Sequence, residues 1–488
     1  MTATPTVPFQ APAITAAQRL ADDPRVVAAH AQLLAAQHDA AQSLTEPRPA
    51  LPERTTSYER TLERFGQARG GNLFYPYLGS GLGHGPLVEL DDGSVKYDLI
   101  TGIGVHFFGH SHPGLTEACL HAALADTVMQ GNLQQNTDTA QLVDQLLNLA
   151  NRDQTNTPFA HAFLTSSGAM ANENALKLAF QHHHPAARVL TLSRCFCGRT
   201  LALSQITDKP AYRQGLPRTL EVDYLPGFRA DDPDAGTPHA LSTMRRLLRR
   251  YPGQHAVLKL ELVAGEGGFY PATAQHLRAL MQEAKAHGLA VMVDEIQTFG
   301  RTLQPFAFQH FGLGDLVDLV TVGKLSQVCA TLFKPEYKPK PGLLSQTFTA
   351  SATAIAAARY TLDQLAQGDL YGDDGRIAQV HRHFVEHFNV IQREHPDRLE
   401  GPFGLGGMIA CTPFGGDPTR VRAFLHRLFE LGVIAFLAGG GPDPVTQPTR
   451  LRFLPPVPVL TDAHIDAVAD LLRQALNDVA QQPTKDPQ

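Results

Sequence analysis

The chain has 488 residues, long for a single ordinary core, and its 43% hydrophobic and 18% charged content predicts a globular protein with two packed bodies or one large α/β body. A net charge of −6 argues against nucleic acid and anionic membrane surfaces as partners, and no apolar run approaches the ~18 residues needed to cross a bilayer. Cys119, Cys195, Cys197, Cys329 and Cys411 are too few and scattered for a disulfide framework, and "MTATPTVPFQAPAITAAQ" has neither the charged start nor the apolar core of a secretory signal, so the expected location is cytoplasmic.

In chain order, residues 1–55 are expected to form a helical and linker extension. "AAQRLADDPRVVAAHAQLLAAQHDAAQ" has helical spacing, and "TEPRPALPERTT" predicts an exposed linker. From about 160 the pattern alternates: "HAFLT" is a predicted strand, "AMANENALKLAF" a helix, and "RVLTLS" and "VLKLEL" two more strands. "ATAQHLRALMQEAKAHG" is an amphipathic helix with Leu277, Leu280, Met281 and Ala284 on one face and Gly288 at its end. "LAVMV" and "DLVDLVTVG" complete a set that predicts a mostly parallel sheet covered by helices. A helix near 353–367 follows. Residues 370–482 then mix the helices "RIAQVHRHFVEHFNVIQREHP", "DPTRVRAFLHRLFELG" and "TDAHIDAVADLLRQALNDVAQ" with one glycine-broken strand, "GLGGMIACTPF", and the stretch "TRLRFLPP"; they predict a smaller α+β domain. The last six residues are expected to fray.

Ligands of parallel α/β sheets bind at the carboxyl ends of the strands, and three such ends carry unusual groups. In "LTSSGAMANE" a helix opens on Ser167, Gly168 and Ala169, whose free N–H groups and dipole suit a phosphate; a simple N-cap explains any one such start. Asp294 ends one strand and Lys324 the next. The pair is either a plain ion pair or, with a lysine whose ammonium burial destabilises, a Schiff-base site with a carboxylate for a pyridine nitrogen. No metal is expected: neither the pair Cys195 and Cys197 nor the tract from His182 to His184 has partners at ligand spacing. No G-x-G-x-x-G opens a helix, so a dinucleotide-binding oxidoreductase is disfavoured.

Six collinear stretches resemble the class III (ω-type) pyridoxal-phosphate aminotransferases, with hints of the lysine 6-aminotransferase and 4-aminobutyrate aminotransferase branch in "GKLSQVC". They are "TGIGVHFFGHSHP", "SSGAMANENALKLA", "FCGRTLA", "ELVAGEGGFYP", "VMVDEIQTFGRT" and "RFLPP". The resemblance implies a fold type I enzyme in which 56–115 is the N-terminal segment of the small domain and the active-site entrance, and 116–369 the large cofactor-binding domain. It also implies a homodimer using pyridoxal 5'-phosphate. Lys324 matches the imine lysine and Asp294 the carboxylate at the pyridine nitrogen. Gln297 matches the residue at the ring hydroxyl, Phe196 and Ile296 those on the ring faces, and Ser167, Gly168 and Ala169 the phosphate segment. Thr347 matches a threonine that reaches the neighbouring subunit's phosphate. Arg452, with Arg450 as the alternative, matches the carboxylate-binding arginine, and Glu266 the glutamate that pairs with it; the role of Glu261 is open. The family departs here at Cys197, where a histidine is usual, at Leu262, where proline is common, and in the glycine missing after Thr298. The implied reaction moves an amino group from lysine, ornithine, acetylornithine or 4-aminobutyrate to 2-oxoglutarate. An aminomutase, racemase or decarboxylase on the same fold is the alternative.

Overall fold

The computed structural model describes residues 14–126, 129–152, 157–228, 233–440 and 447–481. Its centre is a seven-stranded sheet in the spatial order His161–Thr165, Cys329–Phe333, Leu319–Val322, Ala290–Asp294, His255–Leu260, Arg188–Leu192 and Glu221–Leu225. All neighbours run parallel except Cys329–Phe333, which is antiparallel to both of its own. Ala290–Asp294 and Leu319–Val322 are buried at every position, with no inside–outside alternation, because helices cover both faces of the sheet. On Ala274–Ala286 the predicted stripe of Leu277, Leu280, Met281 and Ala284 is buried; fully burying each of the larger three contributes about 1.5–3 kcal/mol. Thr273 caps that helix by accepting from the His276 N–H at 3.2 Å, and Gly288 ends it with φ +73°.

A four-stranded antiparallel sheet, Leu399–Leu405, Met408–Pro413, Thr449–Phe453 and Phe436–Gly439, lies in the C-terminal part with the helices Arg376–Glu394, Pro418–Leu431 and Asp462–Ala480. Here "GLGGMIACTPF" is not one broken strand. Gly406, at φ +58°, and Gly407 turn a hairpin, so the glycines reverse the chain where a kink was expected. A third sheet joins Gly79–His84, Leu87–Leu90 and Val95–Asp98 to Val433–Ile434, tying N-terminal and C-terminal parts of the sequence together. The linker expected over 45–56 also needs correction. The helix Pro52–Arg69 starts inside it, with Pro52 in the first turn, where a missing N–H costs nothing. The residues expected to fray at the C-terminus lie outside those described.

Candidate active site

Asp294 is the last residue of its strand and is 7% exposed. One carboxylate oxygen accepts from Asn172 Nδ2 at 2.9 Å and lies 3.1 Å from Lys259 Nζ; the other accepts from the Ile296 N–H at 3.2 Å. Asn172 is fixed in turn by the Thr321 hydroxyl at 2.8 Å. Glu295, next in sequence, turns away. It accepts from the Phe308 N–H at 2.9 Å and from the Thr298 hydroxyl, and burial pushes its carboxyl up to about 7. Of the two adjacent carboxylates only Asp294 faces the site.

Lys259 was not among the expected site residues. It sits in the strand His255–Leu260 with no exposed surface, donates to the Phe196 carbonyl at 2.6 Å, and lies 3.8 Å from Glu261. Burial alone would weaken its ammonium, but Asp294, Cys197 and Glu261 outweigh it and hold the group well above an ordinary lysine. Glu261 stands just past the strand end and accepts from the Phe196 N–H at 2.7 Å and the Gly265 N–H at 3.2 Å. Burial raises its carboxyl despite Lys259. Cys197 is buried among the same groups, with its thiol raised by burial. One ammonium thus holds Asp294, Glu261 and the Phe196 backbone together. The signal was present in "VLKLEL", where a lysine interrupts a strand otherwise fit for a core.

Lys324 follows Gly323 at the end of Leu319–Val322 and holds φ +53°, a left-handed conformation that costs a non-glycine residue about 1 kcal/mol or more. The turn is secured by the Gln327 N–H on the Lys324 carbonyl at 3.0 Å, and by Gln327 Nε2 on the Val105 carbonyl at 3.0 Å. Burial pulls the Lys324 ammonium down from 10.5 to about 7; Arg452 and Arg301 add to this, while Glu266 and Asp294 oppose it. A lysine largely neutral just above pH 7 is nucleophilic.

A stability effect follows for the cofactor-free protein. Between about 7 and 10.5 the unfolded chain holds a proton at Lys324 that the folded chain has lost, so this residue's contribution to stability rises with pH across that window. Lys324→Met removes the group, and the apoprotein is expected to gain about 3 kcal/mol at pH 8, a gain that fades above pH 10. Urea unfolding of both apoproteins at the two pH values measures it; a gain equal at both would contradict it.

Ser167 caps the helix Gly168–His182, its hydroxyl accepting from the Met170 N–H at 3.2 Å. Gly168 and Gly323 both close on Ile296: a Cβ on either would stand 3.0 Å from its side chain, and one on Gly265 would stand 2.5 Å from that of Gln297. These glycines leave a cradle between the helix start, Lys324, Ile296 and Gln297 that any side chain would fill. Phe196 is half-buried, its backbone held from both sides by Glu261 and Lys259. A buried amine, a carboxylate and a helix N-terminus around this space fit pyridoxal phosphate. Thr347 stands apart. It is exposed, and among the described residues its side chain makes no hydrogen bond to the site.

Arg452 has no exposed surface; it donates to Glu266 at 2.6 Å and to the Gly265 carbonyl at 3.1 Å, with Gln297 Oε1 at 3.4 Å. Gln297 Nε2 donates to the same Glu266 oxygen at 3.2 Å. Burial would raise the Glu266 carboxyl, but Arg452 and then Lys324 hold it below the usual range. Arg450, two residues back on the same strand, is engaged elsewhere: between the rings of Tyr270 and Phe403, at 3.8 and 3.7 Å, and on the Gly268 carbonyl at 2.9 Å. The glutamate therefore pairs with Arg452 and not with Arg450.

The family model for aminotransferase class III matches residues 80–476. The acetylornithine aminotransferase of Bacillus subtilis (strain 168) is 30% identical over 408 residues, 80% of this chain and 93% of the relative. A second acetylornithine aminotransferase, from Caldanaerobacter subterraneus, is 26% identical over 413 residues, 81% of this chain and 94% of the relative. The solved lysine aminotransferase from M. tuberculosis in its internal aldimine form superposes with a TM-score of 0.74 at 22% identity, covering 86% of this chain and 99% of that one; at this identity the likeness establishes the fold. With its cradle, lysine and carboxylate in that fold, the chain belongs to the class III aminotransferases and is a pyridoxal-phosphate-dependent transaminase.

Proposed function

We propose that the enzyme takes its amino group from the terminal amine of a basic amino acid of the ornithine class, an N-acylated ornithine first and lysine next, and delivers it to 2-oxoglutarate. The observation that carries this reading is the part-buried Glu266–Arg452 pair at 2.6 Å. A dicarboxylic acceptor needs a guanidinium in the pocket, since the planar fork binds a carboxylate through two hydrogen bonds. A donor that enters amine first needs that charge cancelled, and Glu266 cancels it when no carboxylate is present. The acetylornithine aminotransferases among the relatives support a donor of this size.

The residues divide the work. Gly168 and Ala169 would hold the cofactor phosphate on their N–H groups, with Ser167 capping the helix behind them. Phe196 and Ile296 would hold the ring faces, Gln297 its hydroxyl side and Asp294 its nitrogen. Pyridoxal phosphate supplies an electrophilic aldehyde and a sink for the electron pair left when a C–H proton is removed. Lys324 Nζ, uncharged above about pH 7, is the base that takes that proton and returns it to the neighbouring carbon. Lys259 keeps Asp294 and Phe196 in register.

The same reading makes the enzyme a cytoplasmic homodimer in which Thr347 of each subunit would reach the phosphate held by its neighbour. Met129, Leu133 and Phe348 support it: all are exposed, on segments joined by Met129–Ser351 pairing and by Asn132 Nδ2 on the Ser345 hydroxyl at 2.7 Å. No helix among the described residues is long and apolar enough to cross a membrane. Sedimentation of the holoenzyme should give twice the chain mass; a monomer retaining full cofactor would contradict the dimer. The donor is tested by kcat/KM for N-acetylornithine, ornithine, lysine and 4-aminobutyrate with 2-oxoglutarate, counting glutamate formed. The first three should outrank 4-aminobutyrate; the reverse order would overturn the donor assignment.

A further inference from the structure

Away from this site, His383 and His387 lie one turn apart on Arg376–Glu394, and Asp466 faces them from Asp462–Ala480. The two Nε2 atoms stand 2.8 and 2.7 Å from the same Asp466 oxygen, and the three potential ligand atoms all lie within 4.8 Å of one another. The backbone beneath is anchored, because the helices carry Val380, Phe384, Phe388, Ile465, Val468 and Leu472 into the core. Among the described residues this is where three such side chains converge.

We propose that His383, His387 and Asp466 form a binding site for one divalent transition-metal ion of the zinc or nickel type, joining the two helices. Two imidazoles at i and i+4 on one helix face, with a carboxylate opposite, are the donor set such an ion prefers, and the exposed side leaves the remaining positions to water. Bonds of about 2.0–2.1 Å around a tetrahedral ion place ligand atoms roughly 3.3 Å apart. The two contacts to Asp466 therefore open by about half an ångström each, and the two imidazole nitrogens, no more than 4.8 Å apart, close by about 1.5 Å at most, within reach of side-chain rotations. Glu386 Oε2 lies 3.9 Å from Nδ1 of His383, one adjustment from the outer hydrogen bond that fixes a ligating ring. A hard cation such as magnesium, which favours an all-oxygen octahedron, is a poor match. Spacing along the chain could not have shown this group, since its third member lies far beyond the first two.

The test uses holoenzyme with cofactor bound, titrated calorimetrically with Zn2+, Ni2+ and Mg2+, alongside His387→Gln and Asp466→Asn. Asp466 is exposed and both imidazoles reach solvent, so both variants should fold. Zinc and nickel are expected to bind one per chain and raise Tm, magnesium to leave Tm unmoved, and His387→Gln to weaken zinc at least about ten-fold. The proposal is overturned by no saturable binding to the wild type, by equal stabilisation with magnesium, or by undiminished zinc affinity in both variants.

Discussion

Replacing Lys259 with methionine is expected to cost the folded protein about 3–5 kcal/mol, the usual penalty for removing one partner of a buried ion pair. The ammonium has no exposed surface, lies 3.1 Å from Asp294 and 3.8 Å from Glu261, and donates to the Phe196 carbonyl. Methionine fills nearly the same volume, so the loss is electrostatic: two buried carboxylates keep their desolvation cost without their counter-charge. Because those groups border the cofactor cradle, the variant should also release pyridoxal phosphate faster, and Lys259→Arg should recover part of the stability. Urea unfolding of the apoproteins measures the first effect and dialysis of the holoproteins the second. A loss under 1 kcal/mol would mean that water reaches the pair.

The second large effect falls on one half of the reaction. Arg452→Gln removes the guanidinium facing Glu266, and the rate with 2-oxoglutarate is expected to fall by 10²–10³-fold, about 3–4 kcal/mol. The half-reaction with the amino donor should fall far less, because Glu266 is then free to meet an amine or ammonium end. Arg450→Gln is expected to spare the acceptor half, since that guanidinium is held between Tyr270 and Phe403. Single-turnover rates for each half separate the cases. Equal losses in both halves would move Arg452 from acceptor binding to general support of the pocket.

Much of this architecture was legible in the sequence because its signals are local. Apolar runs ending in Asp294 and before Lys324 are strands whatever surrounds them, and a strand end is where a parallel sheet presents its chemistry. Pro52 shows the limit of local reading. A proline breaks a helix inside it and starts one at its edge, and only the tertiary setting of Pro52–Arg69 decides which. Gly406 and Gly407 pose the same ambiguity between a bent strand and a hairpin. Lys259 was missed for another reason. Its meaning depends on Asp294, Cys197 and Phe196, which chain topology brings to it from two other segments. Arg450 and Arg452 alternate identically along one strand, and only the partner across the pocket distinguishes them.

The transfer of an amino group in two separable halves is tested most directly by following the visible absorption of the bound cofactor in the purified enzyme, without turnover. N-acetylornithine alone should bleach that band with release of one equivalent of aldehyde per site, and 2-oxoglutarate added afterwards should restore it with one equivalent of glutamate. Loss of carbon dioxide, inversion of the donor without bleaching, or a bleached band that 2-oxoglutarate leaves unchanged would contradict transfer to this acceptor and show that the Glu266–Arg452 pair serves another purpose.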